Sequence, residues 1–259
     1  MGRVAVIAGS GALPLAVAAA VPDPVYVTFD GTPAPVGAEA VPARLEQLGQ
    51  LFEALHAAQV TQVCFAGAMA RPQIDPRLLD AHALRLAASF PKGDDALLRE
   101  VLAVFTEQGL TPVAAAALCP DLVLAEGHVL GAPTDQDRAD AAHARAVLEA
   151  LAPLDVGQAA VVAGGLVLGI ETLQGTDALL RFVAETPAHL RRAKGVLVKQ
   201  PKAGQDLRID MPTIGPATVA GAAKAGLAGL FVPAGQVIVL DRPTVETALQ
   251  EAGLFLATQ

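Results

Sequence analysis

The stretch KAGQDLRIDMPTIG, residues 202–215, concentrates charge in a chain that is otherwise apolar. Asp206 and Asp210 are four residues apart with Arg208 midway between them, so on a β-strand all three side chains would share one face. Mg²⁺ prefers one or two carboxylates together with substrate phosphates, and a nearby cation such as Lys199 helps to hold phosphate. The pattern is therefore compatible with a site for a metal ion and a phosphate. A solvated, charged strand end is the alternative interpretation.

A glycine-rich turn follows the first apolar run of the chain. The segment GSGALP, residues 9–14, could present backbone N–H groups at the start of a helix, which is a common way to bind an anion. A dinucleotide fingerprint would have its third glycine where this chain has Pro14. Asp30 ends the second predicted strand, where a ribose-binding acid would lie, so an NAD-dependent oxidoreductase stays open as an alternative. A phosphate or sugar contact is the favoured interpretation.

One short pattern occurs twice. Gly93 and Gly175 each begin the sequence Gly-x-Asp-Ala-Leu-Leu-Arg, in which a glycine turn leads into an amphipathic helix. The aspartates of the two copies could simply lie in the first helical turn, where a negative charge suits the helix dipole. In the functional interpretation, the free N–H groups of both turns, with Lys92 before the first, hold a pyrophosphate.

Length and composition limit the classes of function. A chain of 259 residues with 53% apolar and 17% charged residues forms a large core and fits two domains. A net charge of −8 and an aromatic content of 3% argue against nucleic acid as a partner. The two cysteines, Cys64 and Cys119, are far apart, and the five histidines are scattered, so neither a disulfide framework nor a zinc cluster is expected.

The uncharged segment from Val4 to Val21 could be mistaken for a secretory signal. Gly9, Gly11 and Pro14 interrupt it where a signal peptide would have continuous helix. We therefore expect a folded segment of a cytoplasmic protein, and no later run is long enough to span a bilayer.

The order of the elements predicts an α/β protein with two domains. Residues 1–130 alternate apolar strands with helices, which predicts a Rossmann-like parallel sheet with helices on both faces. Residues 126–141 have the composition of a linker, and residues 131–259 predict a mixed α/β catalytic domain with a hairpin at Gly164-Gly165. TPVAAAALCP, from residue 111, and DLRID, from residue 206, are predicted as strands.

Seven segments occur together in the order known from one enzyme family. They are IAGSGALP, CFAGAMARP, KGDDALLR, DVGQAAVV, GLVLGIETLQGTDALL, GVLVKQPKAGQDLRIDMPTIG and KAGLAGLFVPAGQVIVLD. Together they resemble the UDP-2,3-diacylglucosamine pyrophosphatases of lipid A synthesis, in the alpha-proteobacterial form that is unrelated to calcineurin-like phosphoesterases. The resemblance covers nearly the whole chain.

The resemblance implies hydrolysis of UDP-2,3-diacylglucosamine to UMP and 2,3-diacylglucosamine 1-phosphate. It also implies Mg²⁺ as the cofactor, attack of water on the phosphorus next to the sugar, and a ligand held between two domains. The essential acid of the family corresponds to Asp210 in RIDMPTIG. Gln174 and Pro233 stand where the family commonly has glutamate.

The roles that follow from the resemblance and the motifs are these. Asp210 is the expected catalytic residue, and Asp210 and Asp177 are the expected metal ligands. The expected substrate-binding residues are Gly9, Gly11, Ala12, Leu13, Lys92, Gly93, Asp94, Asp155, Gln158, Gly175, Thr176, Lys199, Arg208, Thr213 and Ile214.

A non-catalytic carrier of nucleotide sugars or lipids is the main alternative to an enzyme. The expected partners are the substrate and its lipid product, with no nucleic acid. A homodimer and peripheral contact with the inner face of the inner membrane are also expected.

Overall fold

The computed structural model describes residues 2–32, 40–69 and 74–259, with the side chains of Lys92, Asp94 and Asp95 excepted. The chain divides into two compact units. The N-terminal unit comprises the residues up to Pro120 together with Asp206–Asp210, and the C-terminal unit comprises Asp121–Gln205 and Met211–Gln259. The predicted α/β class is confirmed. The domain boundary predicted between residues 130 and 131 stays a prediction.

The elements of the N-terminal unit alternate between strands and helices. In chain order they are β1 (Arg3–Ala8), α1 (Leu13–Ala20), β2 (Val25–Phe29), β3 (Ala40–Ala43), α2 (Leu48–Ala57), β4 (Val60–Ala66), α3 (Ala81–Ala87), α4 (Asp94–Glu107), β5 (Thr111–Pro112) and α5 (Ala115–Leu118).

The five described strands of this unit form one parallel sheet in the order β3-β2-β1-β4-β5. Its central strands are continuous apolar runs, because both faces of a parallel sheet are covered. The order reverses between β1 and β4, and in such folds ligands bind at the carboxyl ends of the strands beside this switch point. The Rossmann-like prediction is confirmed, and Pro14 lies in the first turn of α1 as predicted.

Helices α2 and α4 provide much of the core of this unit. Phe52 and Phe65 both pack edge-on against Phe105, with ring centroids 5.1 Å apart in each pair. Cys64 and Cys119 are both buried, and neither forms a disulfide in the described residues. Burial, with a smaller contribution from Cys119, raises the pKa of the Cys64 thiol to about 12.

The C-terminal unit is a second α/β layer structure. In chain order its elements are β6 (Val129–Leu130), α6 (Asp135–Leu151), β7 (Ala159–Ala163), β8 (Leu166–Ile170), α7 (Thr176–Ala184), β9 (Val196–Lys199), β10 (Thr213–Ile214), α8 (Pro216–Lys224), β11 (Gly229–Val232), β12 (Ile238–Val239), α9 (Arg242–Ala252) and β13 (Phe255–Thr258).

Its main sheet has the order β6-β13-β11-β9-β7-β8, so β6 and β8 are the edge strands. The central strands β13, β11 and β9 are parallel, whereas β6, β7 and β8 each run antiparallel to their neighbours. Helices α7, α8 and α9 pack on one face and α6 packs on the other. The predicted mixed α/β unit and the predicted β7–β8 hairpin are confirmed.

Asp140 of α6 fixes the turn of this hairpin. Its carboxylate is 1% exposed and accepts hydrogen bonds from the backbone N–H groups of Gly164 and Gly165, at 2.7 and 2.8 Å. Gln136 donates a further bond at 3.0 Å. The buried carboxylate is thus well supplied with donors, which is the condition under which such a group is tolerated.

Three sequence-based assignments are wrong. The segment predicted as a linker contains β6 and the first turns of α6, because Thr134 and Asp137 form a reciprocal capping box that starts the helix. The predicted strand TPVAAAALCP is a two-residue strand followed by the short helix α5. The predicted strand DLRID is a turn, described below. In addition, the C-terminal strand β13 was not anticipated.

The uncharged segment from Val4 to Val21 folds into β1 and α1, as expected. In the described part of the chain, no helix has both the length and the apolar character needed to cross a bilayer.

Candidate active site

The charged segment Asp206–Asp210 forms a tight turn, and the prediction of a strand with Asp206, Arg208 and Asp210 on one face is wrong. The backbone N–H groups of Ile209 and Asp210 both donate to the carbonyl oxygen of Asp206, each at 3.2 Å. The Asp206 carboxylate accepts the N–H of Arg208 at 3.0 Å. Aspartate favours such local bonds to the backbone over the ladder of a strand.

Arg208 is engaged with Asp206 within this turn. The guanidinium donates through Nε at 2.9 Å and through Nη2 at 2.6 Å to the two carboxylate oxygens. The hydrogen bond from Arg208 lowers the pKa of Asp206, and Asp206 raises the pKa of Arg208. Arg208 is half exposed, with 51% of its side chain accessible, so this ion pair lies at the surface. Within the pair, each charge neutralises the other.

Asp210 lies at an apolar pocket of about 440 Å³ in the N-terminal unit. The carboxyl ends of β1, β2 and β4 form its floor through Ile7, Phe29 and Phe65. Helices α3 and α4 cover it with apolar side chains, among them Leu86, Leu97, Leu98 and Val101. The pocket is thus beside the switch point of the sheet, where related folds bind nucleotides, but its walls suit hydrocarbon.

Two backbone N–H groups of the glycine turn, residues 9–13, are already used in hydrogen bonds within the protein. Gly9 and Ser10 donate their backbone N–H groups to the carbonyls of Ala66 and Ala68, at 2.7 and 2.8 Å. A Cβ on Gly9 would lie 2.6 Å from the Ala68 carbonyl oxygen, so this close approach requires glycine. The geometry disfavours a dinucleotide fingerprint here. The N–H groups of the predicted contacts Gly11, Ala12 and Leu13 donate to no described protein group.

Asp30 has a structural partner. It lies in a turn after β2, where the N–H of Thr32 donates to the carbonyl of Phe29 at 3.0 Å, as the turn prediction required. Arg44 lies 3.5 Å from the Asp30 carboxylate. The ion pair with Arg44 gives Asp30 a structural role, so its position does not require that it bind the ribose of a dinucleotide.

The repeated glycine motif is confirmed as two helix starts. Gly93 and Gly175 directly precede α4 and α7 with φ angles of 99° and 81°, values that favour glycine. The N–H groups of Thr176, Asp177 and Ala178 find no acceptor among the described residues. The predicted contacts of Lys92 and Asp94 concern side chains outside the described set.

The C-terminal unit brings three polar side chains into a chain of hydrogen bonds at the start of α7. Lys199, at the carboxyl end of β9, is buried, and its ammonium donates to the Thr176 hydroxyl at 2.7 Å. The Thr176 hydroxyl in turn donates to the Glu171 carboxylate at 2.8 Å. A buried positive charge is thereby linked through a hydroxyl to a carboxylate, which fixes the head of the lysine. We call these residues the Lys199 relay.

Two further predicted residues lie at the same end of this sheet. Asp155 and Gln158 precede β7, and β7 pairs with β9 so that Ala159 is opposite Lys199. Asp155 forms an ion pair with Lys202. The carbonyl of Gln158 accepts the N–H of Gln200 at 2.9 Å.

Three remaining predicted residues are not among the hydrogen-bonded residues of the Lys199 relay. Thr213 donates its hydroxyl to the carbonyl of Met211 at 3.2 Å, and Ile214 is a core residue with 1% exposure. Asp177 is exposed in the first turn of α7. Among residues 2–32, 40–69 and 74–259, no group of three or more His, Cys, Asp or Glu side chains is placed to hold a metal ion.

Sequence reasoning missed Glu171. It directly follows β8, and its N–H donates to the carbonyl of Ala159 at 2.7 Å, which brings the end of β8 beside the start of β7. The only available signal was an acid between a strand and a glycine turn. Gln174, which stands where the family commonly has glutamate, is exposed and accepts a hydrogen bond from the Thr172 hydroxyl.

Comparison with known proteins covers both units. Residues 3–122 match the family model described as the LpxI N-terminal domain, and residues 125–257 match the LpxI C-terminal domain. The chain is also 38% identical to the UDP-2,3-diacylglucosamine pyrophosphatase LpxI of Caulobacter vibrioides, over 99% of this chain and 97% of that protein. The chain therefore belongs to the LpxI family.

Proposed function

We propose that this protein hydrolyses the pyrophosphate bond of UDP-2,3-diacylglucosamine and so releases UMP and 2,3-diacylglucosamine 1-phosphate in lipid A synthesis. The observation that carries the proposal is the similarity to the Caulobacter vibrioides pyrophosphatase, which extends over 99% of this chain. The match includes both family domains, over residues 3–122 and 125–257.

The apolar pocket of the N-terminal unit supports a substrate with acyl chains. A volume of about 440 Å³ lies within the range of small-molecule sites. Its walls are mainly Leu, Val, Ile and Phe side chains, which favour hydrocarbon over a charged nucleotide. We propose that this pocket takes an acyl chain, with the Asp210 carboxylate at its lining next to the polar part of the substrate.

Asp210 is the proposed catalytic residue. In this role its carboxylate either orients the attacking water and accepts its proton, or would hold a metal ion that would make this water more acidic. The water attacks the phosphorus next to the sugar, the bond from this phosphorus to the bridging oxygen breaks, and UMP leaves with that oxygen. The acidic group stands in a turn fixed by two backbone hydrogen bonds to Asp206, which limits its freedom.

Mg²⁺ is the proposed cofactor. The Asp210 carboxylate would offer oxygen ligands that suit a hard cation, and Mg²⁺ would take its other ligands from water and substrate phosphates. Asp177 stays a predicted ligand. A bound Mg²⁺ supplies neutralisation of charge on the pyrophosphate oxygens.

The Lys199 relay is the proposed phosphate contact of the C-terminal unit. The Lys199 ammonium and the free N–H groups at the start of α7 provide positive charge in one place. Thr176 holds the lysine, and Glu171 acts as a positioning residue because its carboxylate accepts the hydrogen bond of the Thr176 hydroxyl. Neither Glu171 nor Thr176 has to touch the reacting atoms for this role.

The expected setting of the reaction follows from the substrate. We propose a cytoplasmic enzyme that meets its diacylated substrate at the inner face of the inner membrane, and a homodimer remains a prediction. A non-catalytic carrier is the rival function, because it would use the same apolar pocket and the same polar residues.

The test is release of UMP from UDP-2,3-diacylglucosamine by the purified chain, with and without Mg²⁺. We expect Mg²⁺-dependent release that Asp210→Asn abolishes and that the exposed control Asp121→Asn retains. Binding of the substrate without release of UMP would identify a carrier. Normal turnover by Asp210→Asn would remove Asp210 from the proposed catalytic role.

A further inference from the structure

An arginine joins the two helices that cover the apolar pocket of the N-terminal unit. The guanidinium of Arg85, on α3, donates through Nε to the Glu100 carboxylate of α4. Through Nη1 and Nη2 it donates to both carboxylate oxygens of Glu107, at 3.0 Å for the bond from Nη2. Glu100 and Glu107 lie two turns apart on one face of α4, so both reach the same guanidinium. We call these three residues the Arg85 clamp.

The Arg85 clamp connects the two helices that form the roof of the pocket. Ala83 and Leu86, on either side of Arg85 in α3, line the pocket. Leu98 and Val101, on either side of the clamp residue Glu100 in α4, line it as well. Separation of α3 from α4 would widen the space between these apolar side chains. The clamp therefore fixes the width of the pocket.

The beginning of α3 is held by a different set of contacts. The Asp80 carboxylate caps the helix by accepting a backbone N–H of its first turn at 2.8 Å, and it also accepts the N–H of Gly49 in α2 at 2.6 Å. The ring of His82 packs edge-on against Phe52 of α2, with centroids 5.1 Å apart. These contacts fix α3 to α2, whereas the Arg85 clamp fixes it to α4. Loss of the clamp is thus expected to leave α3 capped and attached on one side.

The Arg85 clamp is open to solvent on its outer side. The side chains of Arg85 and Glu107 are 41% and 56% exposed, and that of Glu100 is 27% exposed. The hydrogen bond from Arg85 lowers the pKa of Glu107, so this carboxylate stays ionised at neutral pH. Dissolved salt screens charges at such exposure, whereas it does not screen the apolar contacts of the roof. Salt therefore distinguishes the clamp from the rest of the roof.

We propose that Arg85 is a positioning residue that sets the acyl-chain preference of the pocket by fixing the distance between α3 and α4. A closely packed wall resists an additional methylene, so a pocket with a fixed roof favours the chain that fills it. Without the clamp, α3 can move away from α4, and a longer chain enters with less strain. Arg85 does not have to touch the substrate for this role. The acyl chain as occupant rests on the proposed function, whereas the mobility of the roof does not.

The first test is stopped-flow fluorescence of N-phenyl-1-naphthylamine, an uncharged apolar probe, entering the pocket of the full chain. We expect Arg85→Met to speed entry about fivefold, which corresponds to a contribution of about 1 kcal/mol from an exposed charge network. NaCl at about 1 M, where the Debye length is about 3 Å, is expected to speed entry into wild type but not into Arg85→Met. Leu98→Trp is expected to reduce binding, which locates the probe in the pocket. The matched control Arg242→Met breaks the surface ion pair with Glu246 on α9 and is expected to keep the wild-type rate.

A second variant removes the clamp from the side of α4. Glu100→Gln with Glu107→Gln is expected to reproduce the effect of Arg85→Met, and addition of Arg85→Met to this pair is expected to have little further effect. In release of UMP from substrates of different acyl-chain length, loss of the clamp is expected to reduce the discrimination between lengths by about fivefold. The change is expected in KM rather than in kcat, because the chain is bound in the ground state as well as in the transition state.

Probe entry at the wild-type rate in folded Arg85→Met, or a salt effect that persists in this variant, would overturn the proposal. Failure of wild type to bind the probe would overturn both the proposal and the assignment of an acyl chain to this pocket. If the clamp controls probe entry in a chain that never releases UMP, only the catalytic proposal is refuted. An unchanged preference for acyl-chain length in a variant with faster probe entry would likewise contradict the role of Arg85 in specificity.

Discussion

Replacement of Thr176 by valine tests the Lys199 relay with little change in volume. The hydroxyl is the acceptor for the Lys199 ammonium at 2.7 Å and the donor to Glu171 at 2.8 Å. Valine is close to isosteric with threonine but offers neither function. The buried lysine loses the bond that fixes its head, and Glu171 loses its link to the site.

The size of the effect follows from the kind of bond that is lost. A hydrogen bond to a charged group contributes about 1.5–3 kcal/mol, and about 1.4 kcal/mol corresponds to a factor of ten. We therefore expect kcat/KM for UMP release to fall about 10- to 100-fold in Thr176→Val. Most of the fall is expected in KM, because a phosphate contact is made in the ground state as well as in the transition state.

The assay is steady-state release of UMP, with Thr176→Ser as the conservative rescue and exposed Thr172→Val as the matched control. Both are expected to stay near wild type. In a Lys199→Met background, Thr176→Val is expected to have little further effect, because the hydroxyl acts through the lysine. Wild-type kinetics of a folded Thr176→Val, or equal loss in Thr176→Ser, would refute the relay.

Three other predictions concern stability, reactivity and the acyl pocket. Asp140→Asn leaves an amide N–H facing a backbone N–H in the β7–β8 turn, so urea unfolding should show a loss of about 2–4 kcal/mol. The exposed control Asp135→Asn should change stability by less than about 0.5 kcal/mol, and equal effects would contradict the reasoning. The raised pKa of Cys64 means that the folded state keeps a proton which the unfolded state releases above its value of 9.0, so stability should fall from pH 9 towards 12. Native Cys64 that reacts rapidly with thiol reagents at pH 8 would contradict this burial. Leu98→Trp should fill part of the pocket and shift preference to shorter acyl chains, at about fourfold per methylene lost from the site. Unchanged chain-length preference would place the acyl chain elsewhere.

The layers of the fold could be predicted because its strands are locally distinct. β1, β2 and β4 are apolar runs bounded by turns, and the helices between them show apolar residues at helical spacing. These signals are short-range and agree with the tertiary structure. They suffice for the α/β class and the parallel sheet.

Two of the wrong assignments have the same physical cause. In each, a side chain forms a hydrogen bond to the nearby backbone, and this bond competes with the structure that the composition predicts. DLRID has the composition of a strand end, but the Asp206 carboxylate accepts a hydrogen bond from the backbone N–H of Arg208, and this bond stabilises a turn. The supposed linker contains Thr134 and Asp137, whose mutual bonds begin a helix. Side-chain bonds to the backbone are difficult to weigh from composition alone.

The candidate site was predictable only where its residues share a motif. Asp210 and Thr176 stand in recognisable segments, whereas Glu171 joins the Lys199 relay through the pairing of β7 with β8 and β9. The apolar pocket is assembled from the ends of three strands and two helices that are distant in sequence. Such long-range packing leaves no local pattern.

The most direct test of the central claim is hydrolysis in water enriched in oxygen-18, followed by mass spectrometry of both products. The account predicts one labelled oxygen in 2,3-diacylglucosamine 1-phosphate, none in UMP, and no product from Asp210→Asn. Label in UMP would place the attack on the other phosphorus. Failure of the wild-type chain to release UMP, although it binds the substrate, would contradict the assignment as a pyrophosphatase.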